Sequence, residues 1–409
     1  MDQEQLTTSG PVLEFDGTRG PFSKLLIING LLTIFTLGIY RFWAKTKVRR
    51  FFWSNTRFLD DPLEYTGTGG ELFVGFLIVM AILFPLGLVY SAINTLVPPD
   101  VPAMQIGLEV AYYLVIYALI QIGFYRMWRY RMSRTTWRGV RFGLDGSTWT
   151  FLKLSTGWTL LTAITLGLAY PWMQVDLWRY QVRHTRIGSE IFRFEGNGKD
   201  LIWAWMTVYI PMLCILFAGT AIYLALNTSG EGKLPRIDPG DGTFVATMGG
   251  VIGVSYIAFF LAMFCYQIKQ TRYLMSGVKL NTANFHSLLP TGRLLIFAVM
   301  SLILMGCIIL LPLGLHYGLG INTGVIPDFM ESEPLSPGLL FGPYIILFVS
   351  LFLIFPLLWT IIFKFEVVKQ LVITTTIENA DVLEQAVQSA SDPQRTGEGL
   401  ADALDIGGF

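Results

Sequence analysis

Six long runs of apolar residues, separated by short polar connections, dominate the chain. They lie at about 72–97, 106–128, 200–226, 243–268, 292–318 and 340–364. Each run is near or above the roughly 20 residues that an α-helix needs to cross a bilayer. Because the runs follow one another in pairs, the pattern predicts three transmembrane helical hairpins.

Two shorter apolar stretches, 22–40 and 151–172, are harder to place. Basic residues flank each stretch at both ends, and a single crossing cannot satisfy the positive-inside rule at both flanks. Asn29 and Gly30 interrupt the first stretch, and the second stops at Pro171. These features favour re-entrant or interface-lying helices. The alternative is two full crossings, which gives eight spans.

The pieces between the membrane segments follow a different pattern. They are short, partly alternating and rich in Val, Ile, Phe and Thr, with Gly or Asp-Gly ends, which is typical of strands and turns. They lie at 12–17, 57–67, 138–146, 186–196, 275–285 and 372–381. We expect a small cytoplasmic β layer built from successive units, because a lone hairpin is marginal in water. Irregular loops are the alternative.

The predicted fold class is therefore an α-helical integral membrane protein. It has three transmembrane helical hairpins, two repeated re-entrant or extra transmembrane segments, and a small cytoplasmic β layer.

An internal repeat organises these segments. Almost everything distinctive in residues 16–72 returns 129 positions later without a gap, as when Thr36-Leu37-Gly38 becomes Thr165-Leu166-Gly167. The third hairpin shares looser fragments with the first, such as ILFPLGLVY (82–90) and ILLPLGLHY (309–317). Internal repeats are common among transporters and occur in other membrane proteins. The sequence predicts membrane repeat units at 1–140, 141–282 and 283–378, followed by a polar cytoplasmic tail at 379–409.

Composition and charge agree with a membrane protein and suggest its orientation. Of the residues, 53% are hydrophobic and 14% charged, whereas an ordinary soluble domain has roughly 25% charged residues. Lysine and arginine cluster in connections at 41–57, 125–141 and 178–186, whereas the connections around Asp100 and Glu331 are acidic. Under the positive-inside rule, the basic blocks and both chain termini face the cytoplasm.

The arginine- and aromatic-rich blocks hold the most conspicuous chemistry. Guanidinium groups bind phosphate bidentately, so these blocks are a candidate surface for lipid headgroups or another phosphate-bearing ligand. The candidate contacts are Arg49, Arg50, Arg129, Arg134, Arg179 and Arg183. The simpler interpretation is that aromatic belts and basic flanks at an interface have no further role. Membrane lipids are the expected partners, and nucleic acid is not expected at a face held against anionic lipid.

Glycines precede two of the predicted membrane helices. The candidates for structural turns are Gly67, Gly69, Gly196 and Gly198. We expect tight turns at which a strand passes into a helix, because glycine readily adopts a positive φ. Glu71 and Asp200 should then lie in the first helical turn, where an acid complements the helix dipole.

Motifs for catalysis or metal binding are absent from the sequence. Cys214, Cys265 and Cys307 lie inside apolar runs, and the three histidines have no ligand spacing. There is no HExxH, CxxC, P-loop or nucleophile-elbow pattern. We therefore expect no catalytic residue, no metal, no cofactor and no enzymatic activity. The sequence does not indicate a small-molecule substrate or an oligomeric state.

Three phrases carry a resemblance to a known family. At FTLGIYRFWAKTKVRRFFWSNTRF, WRGVRFGLDGS and ITLGLAYPWMQVDLWRYQVRHTRIG, the sequence resembles the YjgN family of bacterial inner-membrane proteins of unknown function. The likeness runs from about Phe15 to about Thr376. It implies a multi-pass protein of the bacterial inner membrane and transfers no catalytic or binding residues.

Two functional classes follow from these observations. The repeats and the possible re-entrant segments favour a transport or channel-like function. The alternative is a membrane scaffold or lipid-binding protein without transport activity, which the basic aromatic face and the scarcity of intramembrane charge favour.

Overall fold

A computed structural model describes residues 12–98, 101–227, 242–318 and 354–379 of the chain. The helices are α1 (Arg19–Phe35), α2 (Arg41–Ser54), α3 (Gly69–Leu96), α4 (Pro102–Ser133), α5 (Thr148–Ile164), α6 (Tyr170–His184), α7 (Ile202–Asn227), α8 (Gly242–Ser276), α9 (Thr291–Gly318), α10 (Phe355–Trp359) and α11 (Phe365–Ile373). A 3₁₀ turn, Gly198–Leu201, leads into α7, and a π-helical turn, Thr360–Lys364, joins α10 to α11.

The strands are short and lie between the helices. They are β1 (Leu13–Phe15), β2 (Thr56–Phe58), β3 (Asp61–Tyr65), β4 (Thr135–Trp137), β5 (Val140–Leu144), β6 (Thr185–Ile187), β7 (Glu190–Ile191), β8 (Arg193–Phe194), β9 (Val278–Leu280), β10 (Ala283–Ser287) and β11 (Thr375–Glu378). Every predicted strand-like piece contains at least one of them.

The described strands form a ring, which we call the β ring. Strands β1 to β7 pair antiparallel in chain order, and β8 to β11 do the same. The two sheets meet twice, because β7 and β8 lie on either side of Phe192 and β1 contacts β11. Side chains from six strands fill the interior. They are Phe58, Trp137, Ile187, Leu280, Ala283 and Ile377, all buried.

Connections of two kinds alternate around the β ring. Tight turns join β2 to β3, β4 to β5, β6 to β7 and β9 to β10. Helical excursions join the other antiparallel pairs, which are β1–β2, β3–β4, β5–β6, β8–β9 and β10–β11. Successive connections of an antiparallel meander lie at opposite edges. All five helical excursions therefore leave the ring from one edge, and the tight turns lie at the other.

The tight turns have the backbone that two-residue hairpins require. Leu59 and Asp60 have φ of 48° and 64°, and Arg138 and Gly139 have φ of 47° and 76°. Positive φ at both central residues is the signature of a type I′ turn, whose twist matches that of the flanking strands. These turns hold the strands in register at the edge away from the helices.

Among the described residues, five helices are long and apolar enough to cross a membrane. They are Gly69–Leu96, Pro102–Ser133, Gly198–Phe217, Ile252–Ser276 and Thr291–Ile308. They coincide with the first five predicted long runs, so the mostly helical class with an antiparallel sheet is confirmed. Most of the sixth run, 340–364, lies outside the described residues. The same holds for Asp100, Glu331 and the tail beyond 379.

Each of the two shorter stretches forms the first helix and the turn of a helix–turn–helix, whose second helix lies largely or wholly beyond it. Helices α1 and α2 are joined at residues 36–40, and α5 and α6 at residues 165–169. Leu37 and Gly38 have φ of 51° and 91°, and Leu166 and Gly167 have φ of 51° and 96°. We expected the basic blocks at 41–57 and 178–186 to be connections. That expectation was wrong, because most of the first block is helix α2 and the second begins inside α6.

The bounds of these helices follow the 129-residue spacing. Helix α1 begins at Arg19 and α5 at Thr148, a difference of 129, and their last residues, Phe35 and Ile164, differ by the same number. Superposition of the two units and the division at 140, 282 and 378 stay predictions.

Candidate functional site

Arginines on the returning helices form a layer at the helix-bearing edge of the β ring. Four of them donate from Nη2 to a backbone carbonyl 17 residues later. The pairs are Arg50 with Gly67 (2.9 Å), Arg179 with Gly196 (2.6 Å), Arg129 with Gly146, and Arg272 with Leu289. The arginines lie on α2, α6, α4 and α8, and each carbonyl lies in the linker before the next outgoing helix. Each arginine therefore fastens a linker to the helix before it.

This arrangement revises the role of three arginines that we selected from the sequence. Arg50, Arg129 and Arg179 each use at least one guanidinium N–H on a carbonyl. A guanidinium has five donors, so a phosphate contact remains chemically available. Arg179 also pairs with Asp176 on its own helix, which neutralises much of its charge.

Arg49 and Arg134 have internal partners. Arg49 is only 2% exposed and donates from Nη1 to the Tyr65 hydroxyl at 3.0 Å. Arg134 pairs with Glu71 at 2.5 Å, and the Tyr130 hydroxyl donates to the same carboxylate at 2.6 Å. Burial leaves almost no surface of Arg49 for a headgroup to reach, which disfavours it as a headgroup contact.

Arg183 lies elsewhere on the molecule. It is on the exposed side of α6, and none of the described residues pairs with it. The sequence therefore grouped arginines that the fold separates into a buried one, three that bind linker carbonyls, one that pairs with Glu71, and an exposed one.

The four selected glycines do lie where strands pass into helices, but for a different reason from the one we gave. None has a positive φ. A Cβ at Gly69 would lie 2.8 Å from the Trp43 Cα, and a Cβ at Gly198 would lie 2.6 Å from the Trp172 Cα. At Gly67 and Gly196 a Cβ would instead meet the rings of Tyr65 and Phe194. Close packing, rather than backbone conformation, requires glycine at these positions.

The acids expected after these glycines are in the first helical turn. Glu71 forms a capping box with Thr68 at the start of α3. Asp200 lies in the 3₁₀ turn before α7 and accepts a hydrogen bond from the Tyr273 hydroxyl. Both carboxylates thus bind the returning helix as well as the N-terminus they stabilise.

A buried carboxylate joins the last helical excursion to the first. Glu366 on α11 is 2% exposed, and it pairs with Arg19 of α1 at 2.8 Å and with Arg293 of α9 at 3.3 Å. Gln370 donates to it at 2.8 Å. We did not select this cluster, although an acid within an apolar stretch was the signal that could have found it. Both arginines are about half exposed, so the cluster lies at the edge of the core.

A polar cavity of about 510 Å³ opens where α4 passes the start of α5. Its walls include Arg126, Arg129, Asp145, Ser147 and Trp149. Ser147 is the N-cap of α5, and its hydroxyl accepts from the Thr150 N–H. The signal for this site in the sequence was Arg126-x-x-Arg129, because residues three apart share one face of a helix. Among the described residues, no cluster of His, Cys, Asp and Glu could hold a metal ion.

Comparison with known proteins gives a family but no activity. Residues 11–403 match the family described as "Bacterial protein of unknown function (DUF898)". The chain is 31% identical over 135 residues to "Inner membrane protein YjgN" of Salmonella typhimurium, covering 33% of this chain and 31% of the relative. It is 29% identical over 156 residues to the protein of that name from Escherichia coli K12, covering 38% and 36%. The aligned part thus spans about a third of these relatives, and no solved structure matches.

Proposed function

The chain belongs to the DUF898 family, which confirms the resemblance found in the sequence, and we propose that it is a lipid-binding scaffold of the bacterial inner membrane. Its relatives carry the name inner membrane protein. In this proposal the β ring lies in the cytoplasm, and the helical excursions enter the bilayer from that side. The observation that carries the proposal is the geometry of the two short excursions, α1–α2 and α5–α6.

Both ends of each short excursion lie at the β ring. Strands β1 and β2 flank α1–α2, strands β5 and β6 flank α5–α6, and each pair of strands is hydrogen-bonded. A segment whose two ends are held at one edge of a ring must return to the side from which it left. This supports re-entrant hairpins over two additional crossings.

Contacts with α4 indicate how far α5 reaches. The Tyr117 hydroxyl lies 2.8 Å from the Thr159 hydroxyl. Tyr117 precedes Arg126 by nine residues, which is about 14 Å along a helix. The hydrocarbon core of a bilayer is about 30 Å thick. With Arg126 at the headgroup level, Thr159 lies roughly at the middle of the bilayer, and α5 continues for about another turn and a half to Ile164 before the chain turns back.

The turns of both short excursions present apolar side chains outward. Phe35 is 82% and Leu37 94% exposed, and Ile164 and Leu166 are 79% and 58% exposed. Water disfavours such side chains by roughly 25 cal/mol per Å² of apolar surface. Within the bilayer they contact acyl chains instead. Two hairpins that turn back inside the bilayer beside full spans displace lipid, which suits a scaffold that holds and orders lipid.

The charge distribution supports a scaffold more than a transporter. Coupled transporters place ionisable groups at depth. In the described parts of the five long helices, the one acid beyond the first turn is Glu109, which is exposed. The repeats suggested transport or channel activity. That activity stays a prediction, and the acidic groups in the described parts of the long helices do not support it.

The depth of the turns tests the proposal. Single spin labels at Leu37 and Leu166, in reconstituted protein lacking native cysteines, should be accessible to oxygen and protected from a polar relaxation agent. A label at Leu59, in a turn at the far edge of the ring, is the matched control and should show the opposite. Labels at Leu37 and Leu166 that behave like the control would refute the insertion. A protein-dependent ion flux in the same vesicles would favour a channel.

A further inference from the structure

We propose that the cavity between α4 and the start of α5 binds a phosphate group, and that the headgroup of an anionic phospholipid supplies it. This inference rests on the proposed lipid-binding function and assigns it a site. The cavity has about 510 Å³, within the roughly 300–1,000 Å³ typical of small-ligand sites. It is an open cleft whose lining comes from α4 and from the start of α5.

Two guanidinium groups on one face of α4 line the cavity. Arg126 is exposed, and none of the described residues forms a hydrogen bond or ion pair with it. Arg129 donates from one nitrogen, Nη2, to the Gly146 carbonyl, and a guanidinium has five N–H donors in all. A planar guanidinium pairs with two phosphate oxygens at once. The cavity therefore contains cationic donors whose capacity the fold does not use.

The start of α5 adds neutral donors on the opposite wall. The N–H groups of Thr148 and Trp149 have no partner within the helix, as in the first turn of any α-helix. They lie beside the N-cap Ser147. Helix N-termini carry partial positive charge and bind phosphate readily. Donors from two helices thus converge on one space.

The cavity wall contains one acid, Asp145, and its charge is neutralised by an arginine that is not part of the wall. Asp145 pairs with Arg186 at 2.6 Å. The paired charges cancel, so Arg126 and Arg129 leave the cavity with a net positive charge. An anion is consequently the ligand that the cavity favours.

The equivalent place on α6 shows what distinguishes this site. Arg179 donates to a linker carbonyl as Arg129 does, but the residue three positions before it is Asp176, and the two side chains pair. On α4 the residue at that position is Arg126. An internal acid thus neutralises the α6 arginine, whereas the α4 arginine has a second cation beside it.

The position of the cavity favours a lipid as the source of the phosphate. Trp149, which is 67% exposed, and Ile122 add apolar surface to its lining. Tryptophan is enriched at the headgroup level of membranes. Arg126 and Arg129 follow the apolar part of α4, so their guanidinium groups lie where a headgroup phosphate lies while acyl chains run along the helix.

Arg126→Gln tests the site, because Arg126 is exposed and its loss leaves the folded core intact. Arg183→Gln, which removes an exposed arginine of α6, is the matched control. Native mass spectrometry of detergent-purified protein titrated with phosphatidylglycerol should show affinity reduced about tenfold or more in Arg126→Gln, as expected for a lost charged hydrogen bond. Arg183→Gln should bind like the wild type, and diacylglycerol, which lacks phosphate, should bind equally weakly to all three.

A second experiment distinguishes a lipid headgroup from a soluble phosphate compound as the ligand of the cavity. Glycerol 3-phosphate and inorganic phosphate are titrated by calorimetry into the same three proteins. Arg126-dependent binding of these probes without binding of phosphatidylglycerol would keep the phosphate site and overturn both its lipid source and the lipid-binding function. Equal phosphatidylglycerol binding by the wild type and Arg126→Gln would overturn the site, while the spin-label depths would still decide the scaffold proposal separately.

Discussion

The substitution Gly198→Ala tests how the membrane helices are fixed to the arginine layer. Gly198 begins the 3₁₀ turn that leads into α7, at the point where this segment touches α6. An added Cβ would lie 2.6 Å from the Trp172 Cα and 2.7 Å from its Cγ. The first of these neighbours is backbone, which cannot rotate away as a flexible side chain can.

The size of the effect follows from the overlap. Carbon atoms in contact are normally about 3.5–4.0 Å apart, so α6 and α7 must separate by about 1 Å. Overpacking of this kind costs about 1–3 kcal/mol. The control is Gly157→Ala in α5, where a Cβ would meet nothing within 4 Å. Alanine in an open helical position is favourable by roughly 0.5–1 kcal/mol, so the two variants should differ by roughly 1.5–4 kcal/mol.

Thermal unfolding in detergent measures the difference. Gly198→Ala should melt several degrees below the wild type, and Gly157→Ala should melt at or above it. Gly69→Ala should resemble Gly198→Ala, because a Cβ there would meet the Trp43 Cα at 2.8 Å. A Gly198→Ala protein with a wild-type melting temperature would show that the close approach is not a constraint.

Three further predictions concern charge and orientation. Arg50→Ala should lower the free energy of unfolding by roughly 1.5–3 kcal/mol, since a linker carbonyl loses a charged donor, and unchanged unfolding would contradict this role. Arg19→Ala and Arg293→Ala should each lower the free energy of unfolding only slightly, because either arginine alone still neutralises buried Glu366. The double variant should lower it by roughly 0.5–3 kcal/mol more than the sum of the two single effects. Additive effects in thermal unfolding would refute the coupling. A cysteine at Ser189, in a turn at the far edge of the ring, should react with an impermeant reagent in inverted vesicles and not in intact cells, and the reverse would place the ring outside.

The sequence predicted the long helices and the strands because each type of element has a clear local pattern of apolar and polar residues. Long apolar runs and short alternating pieces need no tertiary information to identify. Helix α2 was missed because its buried residues include Thr46 and Arg49 beside Phe42 and Phe52. A buried arginine looks polar in the sequence, so the block reads as a connection until its partner, the Tyr65 hydroxyl, is known.

The glycines show a different kind of limit. Their positions were predicted correctly, but the reason for glycine depends on a neighbour far along the chain, such as Trp172 for Gly198. The positive φ values that we expected there occur instead at Leu37 and Leu166, at the tips of the short hairpins. The spacing in the sequence identifies positions that require glycine, and the packing shows that at Gly198 the requirement is a close approach of the neighbouring helix.

The β ring and the membrane helices depend on each other for stability. Its strands have two to five residues, and isolated strands this short are marginal in water. Each helical excursion holds the ends of two neighbouring strands together, and Arg50, Arg129, Arg179 and Arg272 fasten the linkers between excursions. The ring in turn holds both ends of each short hairpin, because β1 pairs with β2 and β5 with β6. A ring fragment freed of its helices should therefore not fold, and circular dichroism of such a fragment in buffer should show no sheet.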